Sequence, residues 1–178
     1  MDYSRFTDRG RKVMHLAAYH AHKLGHKSID TEHLLLGMLS EGAGVAGSVL
    51  KNLGVESESI AKMIRRNVDI VPSNERTVPG RLPLMMRIKE AIGHAFGRTA
   101  PGHSPLSPRV KEMIEYAREE ATGLHHLYIG TEHLLLGLVR VKNEPNIAAE
   151  ILESLHGVTP DAVRKEVMTI LVPEVKKA

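Results

Sequence analysis

The seven-residue string TEHLLLG occupies positions 31–37 and returns unchanged at positions 131–137. Working outward from it, residues 6–41 lie over residues 106–141 without a gap, and 13 of those 36 positions are identical. Beyond the string the identities are Arg9, Ala17, Ala21, Leu24, His26 and Ile29, matched by Arg109, Ala117, Ala121, Leu124, His126 and Ile129. Chance does not produce such a match, so the chain is a duplication of one supersecondary unit. Past Gly37 the copies still align with two residues inserted, VLKNL at 49–53 answering ILESL at 151–155, and one more insertion sets Gly54-Val55 over Gly157-Val158.

Each copy reads as four short helices. Thr7 and Ser107 are N-cap candidates, and Pro108 suits a first helical position. Val13, Leu16, Ala17, Ala21 and Leu24 recur at helical spacing, and Gly25 and Gly123 fall near the ends of these first helices. Thr31 and Thr131 are expected to cap second helices that are apolar almost all round, as a central helix requires. Loops follow at 41–44 and 142–146. Third helices are expected near 45–53 and 147–155, and fourth helices after Ser57 and after Thr159-Pro160, ending near Val68 and Leu171. The organisation is therefore a first repeat at 1–68, an insert at 69–105 and a second repeat at 106–178, together one compact unit. The insert is rich in Pro, Gly and Arg, but LMMRIKEAIGHAF at 84–96 has helical apolar spacing. It predicts one extra helix, packed on the seam between repeats or docking a partner through Met85 and Met86.

Composition agrees with an all-α chain. Of 178 residues 42% are hydrophobic but only 3% aromatic, so the core is aliphatic, which suits packed helices better than a sandwich or barrel. The net charge of +3 is a small excess in a mixed pattern with no basic stripe, so no nucleic-acid partner is expected. The absence of cysteine excludes disulfides and thiolate chemistry. No apolar run has a membrane helix's length, and the start MDYSRFTDRGRK lacks a signal-peptide core, so a cytoplasmic address and no membrane partner are expected. Phosphate-loop, HExxH, GxSxG and GxGxxG motifs are all missing, which points away from an enzyme and from a cofactor. There are 11 histidines, but neighbouring Glu and His in TEH should point about 100° apart on a helix, so no metal site is expected.

Glu32 and Glu132 admit two readings. A carboxylate in the first turn of a helix is favoured by the helix dipole and completes local capping. A partly exposed carboxylate repeated at a fixed place also offers a bidentate acceptor for a guanidinium group. The start of the preceding helix carries a hydroxyl and a cation in both copies, Thr7 with Arg11 and Ser107 with Lys111, a natural anion site. Such a pairing would fit a ligand that is both guanidinium and phosphate.

The pattern FTDRGRKVMHLA, LGHKSIDTEHLLLGML and VAGSVLKNLGV, repeated as LSPRVKEMIEYAREEA, TEHLLLGLV and AAEILESLHGV, resembles the amino-terminal double-repeat domain of Clp unfoldases, especially the ClpC branch. The resemblance covers about 6–68 and 106–171. It implies a pseudo-twofold bundle of about eight helices that docks adaptors and substrates ahead of an ATPase ring and, in the ClpC branch, binds phosphoarginine on proteins marked for degradation. The family's guanidinium-binding glutamates fall on Glu32 and Glu132. Its phosphate contacts fall on Thr7, Arg11, Ser107 and Lys111. The partners implied are a Clp unfoldase or its adaptors and phosphoarginine-bearing substrates; the alternative is a docking or regulatory module without phosphoarginine binding. Three features depart from the family pattern: the long insert, the absence of any ATPase motif, which implies an excised or free-standing copy, and Asp30 where the second copy has Gly130.

Overall fold

The computed structural model describes residues 3–68, 105–141 and 146–171. The expected helix at 84–96 lies outside the described residues. Among those described, eight helices form two sets of four: α1 (Asp8–Lys23), α2 (Thr31–Glu41), α3 (Val45–Asn52) and α4 (Ser57–Val68), then α5 (Pro108–Gly123), α6 (Thr131–Arg140), α7 (Ile147–His156) and α8 (Pro160–Leu171). The all-α duplicated repeat is thus realised, each helix starting within a residue or so of where spacing and caps place it. Thr7 Oγ1 accepts from the Gly10 amide at 3.0 Å, Ser107 Oγ accepts from the Val110 amide at 3.2 Å, and Pro108 opens α5.

One expectation is corrected here. The N-caps of α2 and α6 are Asp30 and Gly130, both extended, with Thr31 and Thr131 the first helical residues. Asp30 Oδ1 accepts from the Thr31 amide at 2.8 Å, so the Thr hydroxyls are freed from capping. Thr131 Oγ1 instead accepts from the Ala46 amide at 3.3 Å, and Thr31 Oγ1 is buried without a partner.

The repeated string encodes the closest helix contact. Residues 31–38 and 131–138 are all buried, and the glycine ending each string lies against the first helix of its own copy. A Cβ on Gly37 would sit 2.7 Å from the Val13 carbonyl oxygen, and one on Gly137 would sit 2.5 Å from that of Met113. Only glycine allows α2 to lie so close on α1, and α6 on α5. Leu34, Leu35, Leu134 and Leu135 then fill the core with no exposed surface.

The copies are laced together rather than set side by side. The α2 and α6 helices touch, α3 packs on α6 and α8, and α7 packs on α2 and α4, so each copy covers its third helix with helices of the other. Two short parallel bridges cross between copies, Phe6 with Ile129 and Ile29 with Leu106. They bring the lead-in of each first helix beside the lead-in of the other copy's second helix, and this crossing builds the site. No single described helix is long and apolar enough to cross a membrane.

Candidate functional site

Each bridge is held by backbone hydrogen bonds. The Thr7 amide donates to Ile129 O at 3.0 Å and the Ile129 amide to Arg5 O at 2.7 Å; in the mirror place Ile29 donates to Pro105 O and Ser107 to Ile29 O, both at 2.9 Å. A Cβ on Gly10 would lie 2.9 Å from Ile129 O and 3.3 Å from Thr7 Oγ1, so the start of α1 packs directly on the residue before Gly130. Hence Thr7 belongs with Glu132 of the second copy, and Ser107 with Glu32 of the first. Expected partners within one copy are exchanged between copies, because the bridges are non-local contacts that spacing along the chain does not reveal.

Both glutamates are far less accessible than expected, Glu32 at 4% and Glu132 at 6% exposure. At the second helical position each carboxylate folds back over the helix start instead of pointing outward. Burial pushes the Glu32 carboxyl up to about 7; its own backbone amide and Arg109 oppose this and the Asp30 charge adds to it. Its Oε2 has no hydrogen-bond partner. The Glu132 carboxylate lies over Gly130, in space that a Cβ there would need.

Behind each glutamate runs a histidine pair. His33 Nδ1 accepts the Asp30 amide at 2.9 Å and its Nε2 lies 2.8 Å from His26 Nδ1; His133 repeats this with Gly130 and His126, both at 2.9 Å. An Nδ1 that accepts an N–H bears no proton, so each neutral imidazole carries its proton on Nε2 and donates it to the outer histidine. Burial first, then the outer histidine, pushes His33 and His133 down to about 4. At neutral pH the contacts of 3.7 Å to Glu32 and 3.5 Å to Glu132 therefore join a carboxyl group to an uncharged ring, not to a cation.

The expectation that Glu and His of TEH cannot face one point is also corrected, since ligand atoms of His26, Glu32 and His33, and of His126, Glu132 and His133, lie within 4.8 Å of one another. The back-folding of the glutamate brings them together. The donor set still suits a metal poorly, because both nitrogens of His33 and of His133 are engaged in the hydrogen bonds that shape the helix start.

The cations do not all arrive where expected. The Arg11 guanidinium donates to Phe6 O at 2.7 Å and pairs with Asp8, turned onto its own helix start, and Lys111 is exposed. The arginine that reaches the first site is Arg109, which grips the Asp30 carboxylate through Nε at 3.1 Å and through the terminal nitrogen at 2.6 Å. Ser107 Oγ donates to the same carboxylate at 3.0 Å. Burial works to raise the Asp30 pKa, but these bonds and the Thr31 amide outweigh it and hold the group below its ordinary value. Its counterpart Arg9 donates to the Ala43 carbonyl. Arg9 and Arg109 are among the few identities outside the string, yet the two differ in role, because residue 30 is an aspartate and residue 130 a glycine.

The rim of the second site is apolar and aromatic. Leu127 is 87% exposed, and Tyr128 stacks on His126 at 5.1 Å between ring centres; Lys27 and Ser28 hold these places in the first copy.

Comparison with known proteins accords with this geometry. The family described as the Clp repeat (R) N-terminal domain matches residues 5–98 and 105–178. The chain is 36% identical over 171 residues to the negative regulator of genetic competence ClpC/MecB of Bacillus subtilis (strain 168), covering 96% of the chain and 18% of that protein. It thus spans less than a fifth of the length of the curated relatives it matches, a share of 16% for a probable ATP-dependent Clp protease ATP-binding subunit of Chlamydia pneumoniae. In structure it is similar to the N-terminal domain of ClpD from Arabidopsis thaliana, with TM-score 0.64, 22% identity, and coverage of 96% of this chain and 97% of that one. It is also similar to a ClpV N-domain solved in complex with a VipB peptide, with TM-score 0.59, 16% identity, and coverage of 98% and 92%. With both repeats matched over nearly all their length, the chain belongs to the Clp N-terminal repeat family.

Proposed function

We propose that this chain is a non-catalytic reading module of a Clp system that captures substrates or adaptors and recognises phosphoarginine on them. The observation that carries the reading is the meeting, across the copy boundary, of a buried glutamate at one helix start with a hydroxyl-capped start of another helix. A guanidinium group satisfies a desolvated carboxylate through two parallel hydrogen bonds. A phosphate satisfies a hydroxyl and the first amides of a helix, which have no partner inside the helix. Glu132 with Thr7, and Glu32 with Ser107, supply this pair of demands at adjacent places. Lys111, exposed near the start of its helix, takes the outer role of drawing in an anionic ligand, while Arg11 is held by Phe6 O and Asp8. The peptide seen on a related N-domain agrees with a docking role, and the exposed Leu127 offers a contact for residues flanking the modified arginine. A chain without cysteine suits the reducing cytoplasm in which we place it.

The test is thermal denaturation with free phosphoarginine. A ligand that binds only the folded chain stabilises it by about 3 kcal/mol at a hundredfold excess over Kd, so the melting temperature rises. Replacing both Glu32 and Glu132 by Ala abolishes the rise. An unchanged melting curve at millimolar ligand rejects phosphoarginine recognition and leaves a docking or regulatory module, in which changes in the 84–96 segment disturb partner binding.

A further inference from the structure

The two copies share TEH and the outer histidine at the site, yet residue 30 is aspartate where residue 130 is glycine. That difference decides what each site contains. In the first, the Asp30 carboxylate already accepts from Ser107 Oγ, from two nitrogens of Arg109 and from the Thr31 amide. A hydroxyl, a forked guanidinium and a helix-start amide are the donors that a phosphate would use, and here a side chain of the protein occupies all of them. Two further negative oxygens brought to the same donors would meet the Asp30 charge at contact distance.

The second site has no such plug. Gly130 carries no side chain, the Glu132 carboxylate that folds against it is the group a guanidinium would pair with, and Arg9, the counterpart of Arg109, is turned to the Ala43 carbonyl. Among the described residues Thr7 Oγ1 is engaged only as the acceptor of the Gly10 amide, which leaves its proton for a ligand. Tyr128, beside His133 at 6.0 Å, presents a half-exposed ring on which a guanidinium can stack, where the first copy has Ser28.

We infer that this chain reads its ligand at one site only, built from Glu132, Thr7, Gly130 and Tyr128, and that Asp30 closes the other as an internal stand-in for phosphate. This rests on the phosphoarginine reading above and assigns the stoichiometry and the residue that sets it. Asp30 is then a specificity residue acting by occupation, and the duplicated module is functionally single.

Isothermal titration of the full chain with free phosphoarginine tests this. The unaltered chain takes one equivalent. Glu132→Ala weakens binding at least about tenfold, the loss expected for a charge-assisted bidentate contact. Asp30→Gly, which copies the natural residue of the second repeat, takes two equivalents. Two equivalents in the unaltered chain, or binding kept with Glu132→Ala, overturns the inference while phosphoarginine recognition stands. No heat from any variant, Asp30→Gly included, overturns both. Should Asp30→Gly fail to fold, the stoichiometry of the unaltered chain and the loss with Glu132→Ala decide the matter.

Discussion

Replacing Gly137 with alanine places a methyl group where α6 lies on α5. The new Cβ would stand 2.5 Å from the Met113 carbonyl oxygen, 2.9 Å from the Ala117 nitrogen and 3.2 Å from the Ala117 Cβ. Ordinary contact needs about 3.5 Å, and two of the three neighbours are backbone, which cannot turn aside. The helices must part by about 1 Å, losing contact along their shared face, and such overpacking costs about 1–3 kcal/mol. Alanine's better helix propensity returns about 0.5–1 kcal/mol. The net loss is about 1–2 kcal/mol, or a fall of roughly 3–8 °C in Tm for a chain of this size, read by circular dichroism. Gly123→Ala is the control, because a Cβ there meets nothing within 4 Å and only propensity acts. If Gly137→Ala melts as high as Gly123→Ala, the close approach is not what fixes glycine at the end of the repeated string.

Three other outcomes follow from the buried groups and the backbone. His33 and His133 fall from 6.5 when unfolded to about 4 when folded, so between those values the unfolded chain binds more protons; stability is full above pH 6.5 and declines toward pH 4, by about 3 kcal/mol per ring at most. Glu32 runs the opposite way, from 4.5 to about 7, giving stability present below pH 4.5 and lost as pH rises through 7; Glu32→Gln therefore raises Tm at pH 8 and leaves it nearly unchanged at pH 5, and an equal change at both values would contradict the assignment. His125 holds φ of +56° where the first copy has Gly25 at +72°, so His125→Gly relieves a strain of about 1 kcal/mol, seen as a higher denaturant midpoint with unchanged slope; a lower midpoint refutes it.

The helices were legible because their signals are local. Thr7, Ser107 and Pro108 announce helix starts, the apolar spacing marks buried faces, and the duplication lets each copy check the other. Thr31 and Thr131 misled as caps because Asp30 and Gly130, one place earlier, also cap well, and only the backbone angles decide between neighbours. The site was half legible. Its glutamates and hydroxyls stand out by repetition, but which hydroxyl meets which glutamate depends on two bridges between residues roughly a hundred places apart, which leave no trace in periodicity. Arg109 was hidden for the same reason: its partner Asp30 belongs to the other copy. The burial of Glu32 and Glu132 went against the usual exposure of carboxylates in a first helical turn, and it follows from their side chains folding back over the helix start beside the histidine pair.

The central claim, that the crossed helix starts form the ligand site, is tested most directly by amide chemical-shift mapping of the isotopically labelled chain during titration with free phosphoarginine. The account predicts that the largest shifts fall on residues 5–10 and 128–133, with Glu132→Ala removing them. Shifts confined to α4 or α8, or none at millimolar ligand, would contradict it.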